Sequence, residues 1–194
     1  MTTIDRPLAN LAANWERINY RLNGSLHEKS LWLYAFIVVA HWMEHLIQAY
    51  QIYVAGWARP DAKGMLGLWM PTLVTTEILH FTYALFVIGG LILLRPGFYG
   101  RARVWWDIAL LVQAWHLFEH SILQWQAIAG DFFFGAGVPI SFLQVWIPRV
   151  ELHLLYNIAV TVPTLLGLFY HRYPPKGERQ HRVGCGCSVR PSEV

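Results

Sequence analysis

The sequence predicts an all-α membrane protein: four helices in a bundle made of two tandem hairpins, with a short interfacial helix at the N-terminus. Three observations predict it. The chain is 55% hydrophobic and only 14% charged, against about 25% charged in a soluble domain. Four apolar runs, at 30–57, 67–94, 104–129 and 145–170, each exceed the ~20 residues that span a bilayer core. The pentapeptide His-x-x-Glu-His occurs twice, as His41-Trp42-Met43-Glu44-His45 and His116-Leu117-Phe118-Glu119-His120, and both copies lie inside apolar runs. The soluble alternative is an unusually apolar helical bundle.

Residues 1–29 form a cytoplasmic or interfacial segment. Leu8, Leu11, Trp15, Ile18 and Leu22 recur at helical spacing with Arg17 and Arg21 between them, as in a helix lying on a membrane surface. No apolar core of a signal peptide precedes the first run, so that run is expected to serve as its own insertion signal.

Residues 30–94 form the first hairpin. Arg59-Pro60-Asp61 and Lys63-Gly64 mark its outer loop. Residues 95–103 form a tight turn around Arg95-Pro96-Gly97 and Gly100. Residues 104–170 form the second hairpin, with Gly135, Gly137 and Pro139 in its outer loop. Pro71 and Pro148 suit helix starts, and Pro163 falls inside the last span. Residues 171–194 form a polar cytoplasmic tail with Cys185-Gly-Cys187. In a reducing compartment this pair is a candidate second metal site rather than a disulfide.

Twelve Lys and Arg fall before span one, between spans two and three, and after span four; Arg59, Lys63 and Arg149 are on the other side. This asymmetry places both termini in the cytoplasm and the chain in the cell (inner) membrane. The net charge of +3 then reflects orientation, and no basic, aromatic-interleaved patch points to nucleic acid.

The halves read as a duplication. The first box is followed by Trp69-x-Pro71 and His80-x-x-Tyr83, the second by Trp146-x-Pro148 and His153-x-x-Tyr156. Residues four apart share a helix face, so His41 with His45, and His116 with His120, are paired. Counting from the flanking Lys and Arg at ~1.5 Å per residue puts all six His in one slab of the membrane. Ionisable groups at that depth are costly unless paired or bound.

The expected site is therefore one or two transition-metal ions held by His41, His45, His80, His116, His120 and His153. Glu44 and Glu119 are expected as bridging or additional ligands and Glu77 as a peripheral one. Glu151, two residues from His153, lies on another face and is expected to pair with Arg149 or His116. Glu44, Glu119, Tyr83 and Tyr156 are the candidate catalytic groups; each Tyr offers a hydrogen bond to a ligand carboxylate or a redox phenol. The donor set suits iron or zinc, and also manganese.

The His-x-x-x-His spacing resembles that of membrane fatty-acid hydroxylases and desaturases, which use dinuclear iron; their His-x-x-His-His boxes are absent. Metal-dependent oxidation of a lipid-soluble substrate is the leading expectation, with a cytoplasmic redox partner or a larger membrane complex. The alternatives are a metal-ion or proton transporter, an intramembrane zinc hydrolase of the inverted zincin pattern, a haem protein for electron transfer, and a non-catalytic subunit.

Overall fold

The computed structural model describes residues 5–181. It is all-helical, with no strand among the described residues. Cys185 and Cys187 lie outside the described residues. The helices are α1 (Asp5–Leu22), α2 (His27–Tyr53), α3 (Leu66–Trp69), α4 (Pro71–Val74), α5 (Glu77–Leu94), α6 (Gly100–Ala129) and α7 (Arg149–Arg172).

Three of the long helices, α2, α5 with its following turn, and α7, are long and apolar enough to cross a membrane. The expectation was four. α6 has 30 residues but is not among them, because it carries the buried polar side chains Gln113, His116, Glu119, His120 and Gln126. Its outward face is apolar all the same: Leu111 is 74% and Ile128 77% exposed. Trp32 and Phe36 on α2 are also largely exposed. Polar groups inside and apolar groups outside is the arrangement that hydrocarbon favours.

α5 packs on α6, α6 on α7, α7 on α2, and α2 on α5. The second expected span, 67–94, is broken into three pieces. Met70 (φ −134°, ψ 61°) separates α3 from α4, with Pro71 opening α4. Extended Thr76 then separates α4 from α5. α7 starts after Pro148 and runs on through Pro163. Gly130 ends α6 at φ +68° and donates its N–H to Gln126 O, the left-handed cap that glycine adopts without strain.

The apolar core lies toward the α1 end. Phe98 and Trp106 stack with centroids 3.9 Å apart, among Leu31, Tyr34, Leu91, Leu94, Ala102 and Val160. The indole N–H of Trp106 donates to Leu91 O (2.8 Å). Asn23 ties the α5–α6 turn to α1, donating to Leu93 O and accepting from the Gly97 N–H, both at 2.9 Å. The hydrophobic packing at this end holds four helices in register; their polar faces meet at the other end.

Candidate metal centre

All six predicted His side chains converge. His41 and His45 come from α2, His80 from α5, His116 and His120 from α6, and His153 from α7. Neighbouring ring centroids are 4.6–6.4 Å apart. Two triads bring ligand nitrogens close enough together to hold an ion: His45–His80–His153, and His116–His120–His153. His41 stands at the edge, joined through His45.

The i,i+4 spacing produces the same pair twice. His41 Nε2 lies 3.0 Å from His45 Nε2, and His116 Nε2 lies 3.0 Å from His120 Nε2. Two ligands at ~2.0–2.1 Å from one ion, held cis, are separated by about this much. The rings are also oriented from behind. His153 Nδ1 donates to Arg149 O (2.7 Å) and His80 Nδ1 to Thr76 O (3.4 Å). In each case the carbonyl is that of the residue four back. A carbonyl accepts only, so these rings carry their proton on Nδ1 and direct an Nε2 lone pair inward, as metal-ligating His does when a carbonyl holds its other nitrogen. Gln48 Oε1 holds His45 Nδ1 at 2.8 Å, and Gln113 Oε1 holds His116 Nδ1 more loosely at 3.4 Å.

Within the six-imidazole cluster two buried nitrogens have no protein partner, His153 Nε2 and His120 Nδ1. A buried polar atom left unpaired costs ~1–3 kcal/mol. A cation among these rings would remove that cost at His153. The donor set and this orphaned atom fit a transition-metal ion.

The three carboxylates are each engaged by groups other than the imidazoles. Glu44 accepts the N–H groups of Met65 (2.8 Å) and Leu66 (3.1 Å) at the start of α3. Gly64 lies against this carboxylate at φ +75°, where a Cβ would collide with it. Glu119 accepts the Leu143 N–H (3.0 Å) and the Tyr156 hydroxyl. Glu77 is forked by Arg149 at 2.5 and 2.6 Å. Glu151 is paired with Arg59 (2.5 Å) and Tyr53, not with Arg149 or His116. Backbone N–H groups at helix starts, in apolar surroundings, need acceptors. Glu44 and Glu119, each more than two turns before the end of its helix, reach across to such groups at Met65, Leu66 and Leu143.

Tyr83 stacks on His41 (3.6 Å between centroids) and Tyr156 on His116 (4.4 Å). Tyr156 makes the expected hydrogen bond to a carboxylate, but that carboxylate is a loop cap. Tyr83 makes no counterpart bond.

Two residues missed by the sequence reading share the capping role. Gln51 accepts the Gly64 N–H (2.9 Å) and donates to Gly64 O (3.3 Å). Gln126 accepts the N–H groups of Phe133 (2.9 Å) and Ile140 (3.3 Å) and donates to Ile140 O (2.8 Å). Both follow their box Glu by seven residues, two helical turns; that shared spacing was the available signal.

A cavity of about 310 Å³ opens beside the centre, between α2 and α5. His41, His45, His80 and Tyr83 line it. The second box is enclosed: His116, Glu119 and His120 are each at most 5% exposed.

No known protein family, curated protein or solved structure matches this chain. What defines it is its own architecture, an all-helical protein with three candidate membrane-crossing helices and a buried cluster of histidines.

Proposed function

We propose that this is a multi-pass membrane protein that holds one transition-metal ion in an all-imidazole centre and acts there on a lipid-soluble substrate. The observation that carries the reading is the convergence of six imidazoles from four helices, with rings fixed from behind and His153 Nε2 buried and unpartnered.

In this reading α2, α5, α6 and α7 are a four-helix bundle of two tandem hairpins, and α1 lies at the cytoplasmic interface. Six residues of high burial cost placed at one depth are better explained by a bound ion than by mutual satisfaction. Carboxylates drawn away to cap loops leave a donor set that suits zinc or iron better than manganese, which favours carboxylate oxygen. The same withdrawal counts against a carboxylate-bridged pair of ions. Rings packed this closely also leave no slot for a haem macrocycle between them.

His153 limits the number of ions. Its Nδ1 is committed to Arg149 O, so only Nε2 can ligate, and both triads need it. One ion is therefore expected at a time. Iron there would supply redox chemistry and zinc Lewis acidity; the protein fixes the rings and admits substrate between α2 and α5. Oxidation would require an electron donor on the cytoplasmic side.

Elemental analysis of the purified protein in detergent, wild type beside His45→Ala/His120→Ala, tests the reading. Bound zinc or iron in the wild type and its loss from the double variant are expected. A wild type without metal, or a variant that keeps it, contradicts the assignment.

Metal-ion transport is the second reading. It is favoured by a buried polar row on α7, Asn157, Thr161 and Thr164, in which Asn157 Nδ2 has no partner. Metal uptake into proteoliposomes, blocked by Asn157→Leu, would favour it over catalysis.

A further inference from the structure

The cavity between α2 and α5 is mixed in character. Ile37, Ala40, Val74 and Leu79 line it alongside Gln48 and Lys63. Its volume, about 310 Å³, is at the lower end of the ~300–1,000 Å³ typical of small-ligand sites. Lys63 is its only cationic side chain, and among the described residues no ion pair holds the ammonium. The one carboxylate lining the cavity, Glu44, is occupied with the Met65 and Leu66 N–H groups. The result is a slot with aliphatic walls in which the Lys63 ammonium makes no ion pair and the Glu44 carboxylate is held by backbone N–H groups, next to the imidazoles.

We infer that this cavity binds a single-chain amphiphile with a carboxylate head, its chain among the aliphatic side chains and its head at Lys63. The assignment names the substrate class for the function proposed above and rests on that reading. The apolar lining supplies most of the affinity. The cation supplies the choice of head group, since an unpaired charge beside hydrocarbon favours an opposite charge. A carboxylate matches better than a phosphate. Phosphate dianions draw Arg forks or several free backbone N–H groups, whereas this slot offers one Lys, and the N–H groups at the start of α3 are already taken.

The test uses the full chain in nanodiscs, metal-free and zinc-loaded, with dodecanoate, dodecanol and dodecyl phosphate as probes in titration calorimetry. Dodecanoate is expected to bind about tenfold more tightly than dodecanol, the scale of one partly desolvated charge pair. Lys63→Met should erase that preference and Lys63→Arg should keep it. Ala40→Trp, on an exposed position that needs no repacking, should block both probes. Equal affinity for acid and alcohol overturns the inference, as does a preference that survives Lys63→Met, tighter binding of dodecyl phosphate, or no binding at all. The metal-free arm separates the two claims: acid preference in a protein that takes up neither zinc nor iron sustains the pocket and refutes the metal centre. Zinc uptake without acid preference does the reverse.

Discussion

The α2–α5 pair and the α6–α7 pair carry the same kinds of residue and differ in what surrounds them. In the first, His45 Nδ1 is held by Gln48, His41 is only partly buried, and a cavity reaches the rings. In the second, Leu123 stands where Gln48 would be, three residues after the box, and His120 Nδ1 has no partner. Gln113 instead steadies His116 from the preceding turn. The first pair is therefore the accessible side of the centre and the second its enclosed side, with His153 common to both.

The largest effect is expected at the shared residue. His153→Ala removes the nitrogen that both triads need, so metal affinity should fall beyond the ~10–100-fold loss typical of an outer-shell partner, as read by competition with a chelator. If one pair of helices sufficed, affinity would survive.

Arg149→Met leaves Glu77, 8% exposed, without its cation. Removing one partner of a buried pair costs ~3–5 kcal/mol; with the Arg149 side chain 37% exposed, about 3 is expected. Arg59→Ala breaks a more exposed pair and should cost much less. Denaturation in detergent micelles compares the two. Equal losses would mean that Glu77 is more hydrated than its burial indicates.

Glu119→Ala strands buried donors at the Leu143 N–H and Tyr156 hydroxyl, at ~1–3 kcal/mol. Glu44→Ala should cost less, because Met65 is exposed and water can replace the carboxylate. Both variants should keep their metal. Loss of metal from either would return that carboxylate to the ligand set.

The smallest effect should be at the outer shell. Gln48→Ala frees His45 and should weaken metal binding about tenfold. Leu123→Ala should leave affinity unchanged while lowering stability, since Leu123 is a fully packed side chain. A matched fall in affinity would show that the two pairs are equivalent after all.

The all-helical class and the meeting of the six His were legible in the sequence, because hydropathy, i,i+4 spacing and depth from flanking charges are local quantities. The direction of a long side chain is not. Glu44 and Glu119 share the box with ligands, yet their flexible chains reach a loop whose path depends on Gly64 in one half and on Leu143 in the other. The exchange of partners, Glu77 with Arg149 and Glu151 with Arg59, likewise depends on how α5 and α7 are juxtaposed. Pro71 marked a helix start inside the run 67–94, but the extended Thr76 that separates α4 from α5 had no comparable signal.

The most direct test is the ratio of metal to chain in the wild type, from elemental analysis with the protein quantified by amino-acid analysis. One zinc or iron per chain is the predicted result, because His153 offers a single free nitrogen to two triads. Two ions per chain would show that the triads fill independently and contradict the shared-ligand centre; none would contradict the metal reading itself.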